Sequence, residues 1–287
     1  MIYTMIKRPL LPSLFALLML CAPTALADSG PIIWQKGSAI QGGLMILKLA
    51  PQISARLDDK PLPQSPQNII SFGFHRDDEA TVTLSLQQDN GSLTTHLYTP
   101  HIRSYQTQSI SGLPGKYVSP PDEVLARIAR DAEAVKRARA LTSYQDAFAH
   151  EGFLWPAEGT VTGVYGSQRI LNGKPRAPHY GIDIAAPRGT PVIAPADGEI
   201  TLADDLYYTG GTLIIDHGLG ISSTMLHLDT LSVTVGDSVS AGERIGTVGS
   251  SGRSTGPHLD WRLNWYQKRL DPQYALDLLP ATASPTK

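Results

Sequence analysis

The chain has 287 residues, of which 41% are hydrophobic and 17% charged, and its formal net charge is −2. This composition is ordinary for a globular protein, and the length indicates about two domains. The mildly acidic balance, with no basic stripe in the sequence, excludes nucleic acid as an expected partner.

Residues 1–27 are predicted to be a removable secretory signal peptide. Lys7 and Arg8 give a positively charged start, an apolar run follows from Leu10 to Leu20, and Ala25-Leu26-Ala27 has the small residues of a cleavage site. An uncleaved membrane anchor is the alternative, but the run is shorter than the roughly 20 residues that a spanning helix needs. We therefore expect a periplasmic or secreted protein without stable membrane insertion after signal removal.

Cys21 is the only cysteine, and it lies within the predicted signal. The residue before it, Leu20, is too large for the cleavage site of a lipoprotein, so we expect no lipid anchor. The mature chain would then contain no disulfide, and no thiolate would be available to bind a metal.

Residues 28–120 are predicted to form a small antiparallel β domain, similar to a sandwich. Val82, Leu84 and Leu86 alternate with polar residues, which is the period of a half-buried strand, and Asp89-Asn90-Gly91 is typical of a hairpin turn. The predicted strands are Gly43–Leu49, Ile69–Phe74, Ala80–Leu86 and Leu93–Thr99.

Residues 121–152 are predicted to be a helical linker of one long or two shorter helices. Apolar residues recur there at helical spacing, and Gly152 marks an end. The basic run from Lys136 to Arg139 is interpreted as a solvated face, with contact to an anionic polymer as the alternative. The segment is expected to act as a spacer between two β domains.

Residues 153–272 are rich in glycine and in short apolar runs, and no helix of useful length fits between those runs. This pattern predicts an antiparallel β domain, so that the protein is mainly all-β. Residues 273–287 are predicted to be a C-terminal tail, with disorder after Pro280.

Two pairs of residues in this second β domain suggest a metal site. A catalytic zinc ion typically takes three protein ligands, and imidazole and carboxylate are the donors available here. His179 and Asp183 lie four residues apart in a loop that enters a strand, so both could reach one cation. His258 and Asp260 are two residues apart, and in a strand such residues point to the same face of the sheet.

Three motifs follow one another in this domain: H-x-x-x-D at 179–183, an isolated L-H-L around His227, and the run S-S-G-R-S-T-G-P-H-L that ends at Leu259. Their order resembles that of the lysostaphin-type, or LytM-type, zinc peptidases of the M23 family. The resemblance implies a compact β core with an open groove and hydrolysis of peptide cross-links in bacterial peptidoglycan. It also implies that His179 and Asp183 bind one zinc ion, and that His227 and His258 are a catalytic pair that does not bind it.

The sequence departs from the family pattern at the third ligand, where Asp260 occupies a position at which the family has histidine. Two carboxylates and one imidazole would neutralise the cation, weaken its Lewis acidity, and shift the preference toward harder divalent metals such as manganese. If Asp260 is a ligand, Asp260→His should tighten zinc binding.

The leading interpretation is an exported zinc metalloendopeptidase that acts on peptidoglycan peptides. The alternative is a catalytically weak or inactive LytM-type domain that regulates another cell-wall hydrolase or binds it as a partner. An inactive member would be expected to lose several site residues, whereas here only the third ligand is altered. This favours the enzyme.

Overall fold

The computed structural model describes residues 30–110, 121–171 and 173–279. The predicted signal peptide, with Cys21, lies outside the described residues, and so does the part of the tail from residue 280 onward. No helix in the described part of the chain is both long and apolar enough to cross a membrane.

The N-terminal region consists of two antiparallel sheets that pack face to face, as predicted. One sheet has the order β1-β2-β5, and the other has the order β4-β3-β6-β7. Apolar residues from both sheets form one shared core. The strands of these two sheets are β1 (Ile32–Lys36), β2 (Leu44–Leu49), β3 (Ile53–Leu57), β4 (Lys60–Pro61), β5 (Ile69–Gly73), β6 (Val82–Gln88) and β7 (Leu93–Tyr98).

Strand β2 has the sequence Leu-Met-Ile-Leu-Lys-Leu and is buried on both faces. Met45 and Leu47 point into the core of the N-terminal sandwich. Leu44 and Ile46 point the other way, into the main core of the C-terminal region. A run that is apolar at successive positions is what a strand covered on both faces requires. The two β regions are therefore in direct contact.

The segment between them contains two helices, α1 (Leu125–Ala140) and α2 (Ala147–Glu151), preceded by a 3₁₀ turn at Asp122–Val124. Gly152 follows α2 with a positive φ of 80°, which few other residues adopt readily. The prediction of two shorter helices is thus the one that agrees with the structure. The segment was expected to be a spacer, but α1 packs on the C-terminal sheet instead.

The C-terminal region is built on a sheet of ten strands, seven of which follow the order β17-β14-β15-β16-β19-β12-β9. The paired strands in it are antiparallel, as predicted. The ten strands of this sheet are β9 (Thr160–Gly163), β12 (Ile182–Ala185), β13 (Pro191–Ile193), β14 (Gly198–Leu206), β15 (Gly210–Gly218), β16 (Ile221–Leu231), β17 (Ser238–Val239), β18 (Arg244–Val248), β19 (His258–Trp265) and β20 (Lys268–Leu270). A separate sheet of three strands contains β8 (Thr107–Ile110), β10 (Gln168–Leu171) and β11 (Lys174–Arg176), and in it β8 runs parallel to β10.

The first part of the predicted tail is a helix, α3 (Pro272–Leu278). The side chain of Asp271 accepts a hydrogen bond from the backbone N–H of Gln273, which caps the helix, and proline occupies its first position. Ala275 and Leu276 are buried in the main core. Residues 272–279 therefore belong to the packed structure, because an apolar face of a short helix is covered there.

Helix α1 lies on one particular face of the ten-stranded sheet. Ala138 packs against Leu202 and Ile214, and Ile214 is paired in register with Thr224, which is paired with Arg262. Directly paired residues point to the same side of a sheet, as do residues two apart in a strand. Helix α1 consequently covers the same face that carries Asp260.

Candidate metal centre

Three side chains that the sequence predicts as ligands lie together in the structure. One ligand atom from each of His179, Asp183 and Asp260 lies within 4.8 Å of the other two, and all three residues are buried. The Nε2 atom of His179 is 3.2 Å from an oxygen of Asp183. These three residues are called the candidate metal centre below.

Strand pairing and two glycines position these side chains. Asp183 on β12 is directly paired with Asp260 on β19. The backbone N–H of His179 donates to the carbonyl oxygen of Ser167, and the carbonyl oxygen of His179 accepts from the N–H of Gly166. A Cβ atom at Gly163 would overlap the carboxylate of Asp183, and one at Gly181 would lie 2.6 Å from Oδ1 of Asp260. Only glycine leaves room for both carboxylates at these positions.

The polar atoms of His179 and Asp183 that lack hydrogen bonds are suited to binding a cation. Both ring nitrogens of His179 and Oδ1 of Asp183 are buried without a hydrogen-bond partner among the described residues. Leaving a buried polar atom unpaired costs about 1–3 kcal/mol. The facing nitrogen and oxygen are both lone-pair donors, and a divalent metal would satisfy them together.

The third member, Asp260, is already engaged by a neighbouring guanidinium. Arg262 donates two hydrogen bonds to its carboxylate, at 3.0 Å to Oδ1 and 2.6 Å to Oδ2. Burial would raise the pKa of Asp260, but Arg262 outweighs that effect and holds the pKa below its ordinary value. Asp260 is therefore ionised, and each oxygen retains a lone pair beyond the one that Arg262 uses.

Asp183 has a similar cationic neighbour. Nη2 of Arg169 donates to Oδ2 of Asp183 at 2.7 Å. Burial works to raise the pKa of this carboxyl, while the adjacent imidazole of His179 and the charge of Arg169 lower it, and the net shift is downward. Both carboxylates of the candidate metal centre are thus held in their charged form.

His227 and His258 flank the centre as a pair, with ring centroids 4.8 Å apart. Nδ1 of His227 bonds to the carbonyl oxygen of Ser251 at 2.8 Å, and Nδ1 of His258 bonds to that of Gly256 at 2.8 Å. A carbonyl can only accept, so Nδ1 carries the proton in each neutral ring and Nε2 offers a lone pair.

The environment of His227 is unusual in two ways. Its backbone φ is +65°, in the left-handed region that residues other than glycine rarely adopt. Burial lowers the pKa of the ring to about 4, so that it is neutral at physiological pH. Nε2 of His258 lies 3.9 Å from Oδ1 of Asp183, which places that ring beside the centre.

The loop before β19 ties both histidines to the sheet. The hydroxyl of Ser251 donates to the carbonyl oxygen of Leu228 and accepts from the backbone N–H of Gly211. The backbone carbonyl oxygen of Ser251 accepts the hydrogen bond from Nδ1 of His227. One small residue thus joins the ends of two strands and sets the tautomer of the ring between them.

Arg169 and Arg262 were not predicted from the sequence. Arg262 could have been, because it lies two residues after Asp260 in a strand and must share its face. Arg169 gave no local signal, since its approach to Asp183 depends on how the loop before β12 folds back.

The prediction that the basic run Lys136–Arg139 faces solvent is wrong for Arg139. Its side chain is buried and donates from Nη2 to the hydroxyl of Thr224 at 3.2 Å. The helix turns this residue toward the sheet because Ala138 and Val135, on the same side, pack there.

Comparison with known proteins gives a consistent family. Residues 177–272 match the model of peptidase family M23. Over 87 residues, or 30% of this chain, the sequence is 44% identical to the peptidoglycan DD-endopeptidase ShyA of Vibrio cholerae, of which it covers 20%. Over 95 residues, or 33% of this chain, it is 46% identical to the DD-carboxypeptidase/endopeptidase Mpg of Neisseria meningitidis, of which it covers 21%. The matches thus span about a fifth of the length of these curated relatives.

The solved structures that match include one whose likeness covers most of the chain. It is a protein of Pseudomonas aeruginosa assigned to peptidase M23, with a TM-score of 0.65 and 25% sequence identity, and the match covers 83% of this chain and 95% of that one. The likeness therefore extends from the C-terminal region into the N-terminal β region.

Proposed function

Since residues 177–272 of this chain form a peptidase family M23 domain, we propose that the protein is an exported, metal-dependent endopeptidase that hydrolyses peptide cross-links of bacterial peptidoglycan. The observation that carries the proposal is the convergence of three buried ligand atoms within 4.8 Å of one another. The endopeptidases among the relatives support the substrate class.

The residues present fit one divalent cation, with zinc as the proposed ion and His179, Asp183 and Asp260 as the proposed ligands. Such an ion, when bound, supplies a Lewis acid that polarises the scissile carbonyl. Arg169 and Arg262 bear on this chemistry. By withdrawing negative charge from the two carboxylates, these arginines reduce the extent to which the carboxylates would neutralise the positive charge of the bound cation.

His227 and His258 are proposed to move protons. Each ring is held with its proton on Nδ1, so its Nε2 can take a proton from the attacking water and deliver it to the leaving amine. A protonated ring can also donate to the oxygen on which negative charge develops. Burial of His227 keeps it neutral before the reaction, which is the state that a base requires.

A regulatory domain without activity is not favoured. Such a domain has no use for unpaired metal-ligand atoms or for two histidines with defined tautomers, and both features are retained here. Export is proposed on the composition of residues 1–27, and the predicted domain boundaries are kept as part of the same proposal.

Digestion of purified peptidoglycan by the mature chain, alongside metal analysis of the same sample, tests the proposal. We expect about one zinc per chain and release of new peptide fragments. The variants His227→Ala and His258→Ala should each lower the rate by about 10²- to 10⁴-fold, the usual contribution of acid–base catalysis. His101→Ala, at an exposed position, is the matched control. A folded, metal-loaded protein that releases no peptide fragments would refute the proposed endopeptidase activity.

A further inference from the structure

A cavity of about 470 Å³ lies between helix α1 and the ends of β14 and β20, on the same sheet face as the candidate metal centre. Ile128, Val135 and Leu206 form part of its wall and are apolar. Lys136, Arg139 and Arg269 also line it and are cationic, so they outnumber the one carboxylate in the lining, that of Asp131, which accepts the backbone N–H of Tyr207. The three apolar and three cationic residues define what is called the cationic cavity below.

Arg139 carries more hydrogen-bond donors than the protein satisfies. Only 4% of its surface is exposed, and its one bond within the described chain is the 3.2 Å contact with Thr224. Its Nε is buried without a partner among the described residues. A guanidinium has five N–H donors, so most of its donor capacity is unused.

Arg269 shares the cavity and also lacks a carboxylate partner in the described part of the chain. Within residues 30–110, 121–171 and 173–279, its side chain makes one hydrogen bond, from Nη1 to the amide oxygen of Asn264 at 2.7 Å. Burial and the nearby charge of Arg262 lower the pKa of Arg269 to about 9. Burial and the charges of Arg269 and Arg262 lower that of Arg139 as well. The two guanidinium groups thus repel each other, and neither forms an ion pair with a carboxylate among the described residues, although the more distant Asp260 partly offsets the effect on Arg269.

A buried cation without a partner is costly, whereas a guanidinium that meets a carboxylate forms two strong parallel bonds. An anion in the cavity would satisfy Nε of Arg139 and relieve the repulsion between the two guanidinium groups. The cavity is also large enough for one or two amino-acid residues, and its apolar wall can hold their side chains.

The cavity is connected to the catalytic groups. Tyr208 and Thr209 line it, and the carbonyl of Thr209 accepts the backbone N–H of His227 at 2.8 Å. On the other side, Thr224 is paired in register with Arg262, which holds Asp260. A ligand in the cavity would therefore lie close to the reacting bond of a peptide on the same sheet face.

We propose that the cationic cavity is an anion subsite that binds a free carboxylate of the peptide substrate, with Arg139 as its specificity-determining residue. The proposal rests on the proposed function for the identity of the ligand. Recognition through a guanidinium fork makes a carboxylate distinguishable from an amide, which has the same shape and no charge. The subsite would make the enzyme selective for peptides that carry a free carboxylate near the cleaved bond.

Binding to metal-free full-length mature protein, in the presence of a chelator, tests this subsite without the metal. The probes are N-acetyl-D-alanyl-D-alanine, the same peptide with a C-terminal amide, and inorganic phosphate, measured by NMR titration. We expect the carboxylate peptide to bind at least about tenfold more tightly than the amide, as one charge-assisted bond implies. Equal affinity for the two peptides would overturn the proposal, and so would tighter binding of phosphate than of the peptide.

Arg139→Gln should weaken binding of the carboxylate peptide by about 10- to 100-fold. Arg137→Gln, on the same helix with 66% of its side chain exposed and pointing to Glu133 outside the cavity, should leave it unchanged. Because Arg139→Gln alters a buried residue, Lys136→Gln gives a second test at an exposed position on the cavity and should weaken binding severalfold. Unchanged affinity in folded Arg139→Gln protein, or in Lys136→Gln, would overturn the subsite.

The result is separable from the proposed function. A protein that never cleaves peptidoglycan can still show the carboxylate preference, because the measurement needs neither metal nor turnover. Conversely, a protein that cleaves peptidoglycan but binds the carboxylate peptide and the amide peptide equally well would refute the subsite and would still support the proposed endopeptidase activity.

Discussion

The candidate metal centre and the cationic cavity lie on one face of the same sheet, yet their unmet hydrogen bonds are opposite in kind. In the centre, His179 and Asp183 present buried lone pairs that meet no hydrogen-bond donor in the part of the chain that the structure describes. In the cavity, Arg139 presents one buried N–H group, that of Nε, without an acceptor among the described residues. Arg262 lies between them and pairs with Asp260. Buried polar atoms left unpaired in opposite senses indicate ligands of opposite charge, a cation in one case and an anion in the other.

His217 shows what a buried polar residue looks like when no ligand is needed. Its Nδ1 bonds to the carbonyl of Asp197 and its Nε2 to the hydroxyl of Ser223, both at 2.8 Å. The indole N–H of Trp261 also donates to that hydroxyl, so the hydroxyl of Ser223 accepts from Trp261 and donates its own hydrogen bond to Nε2 of His217. Every polar atom in this chain of bonds is satisfied by the protein itself, which is the mark of a structural histidine.

The largest expected effect comes from Asp260→His, which breaks a buried ion pair. Arg262 would lose both of its carboxylate bonds, so we expect the free energy of unfolding to fall by about 3–5 kcal/mol in metal-free protein. Chemical denaturation of the chelated protein measures it. If Asp260 is a ligand, zinc affinity should nevertheless rise, because imidazole suits zinc better.

The double variant Asp260→His with Arg262→Gln separates the two effects. Removing the orphaned charge should restore part of the lost stability and leave the gain in zinc affinity in place. If zinc binds the single and double variants no more tightly than the wild type, Asp260 does not coordinate the metal.

Asp183→Asn should weaken zinc binding by at least about a hundredfold, or about 2.7 kcal/mol. The amide oxygen is neutral, and Arg169 loses the carboxylate that it contacts at 2.7 Å. Competition with a chelating dye measures the affinity. Asp205→Asn is the matched control, because that carboxylate is exposed on β14 and pairs with Arg127 instead. Equal zinc affinity in the two variants would show that the ion binds elsewhere.

The burial of His217 as a neutral imidazole predicts that the stability of the protein depends on pH. Burial lowers the pKa of His217 to about 4 from an ordinary value of 6.5. Between these values the unfolded chain binds a proton that the folded chain excludes, so stability falls as the pH drops from 6.5 to 4. The slope from this residue is at most about 1.4 kcal/mol per pH unit.

The variant His217→Gln isolates that contribution, because an amide does not titrate. Measured in chelated protein, it should start less stable but lose less of its stability between pH 6.5 and pH 4 than the wild type does. Parallel stability curves for the two proteins would contradict a neutral, buried imidazole.

The smallest expected effect is that of Gly163→Ala. The added methyl group would overlap the carboxylate of Asp183 and displace it. We expect zinc affinity to fall about tenfold, which corresponds to about 1.4 kcal/mol. Gly189→Ala, where a Cβ meets nothing nearby but φ is +90°, controls for backbone strain. A larger loss of zinc in the Gly189 variant would mean that contact with Asp183 is not the cause.

Local patterns were sufficient for the outline of the fold. Alternation in Val82, Leu84 and Leu86 predicted β6, and the spacing of two residues between His258 and Asp260 predicted that they share a face. The helical segment was recognisable from its apolar period. Its docking was not, because a stripe such as Val135 and Ala138 shows that something is covered but not which surface covers it.

The sequence by itself therefore determined the class of each region, the family resemblance, and the identity of the candidate ligands, since these depend on residue types and short spacings. Only the tertiary structure decided which charges meet: that Arg262 and Arg169 hold the two carboxylates, and that Arg139 turns inward beside an open cavity. Such pairings join residues far apart in the chain, and burial, which makes an unpaired charge costly, exists only once the sheet and helix have packed together.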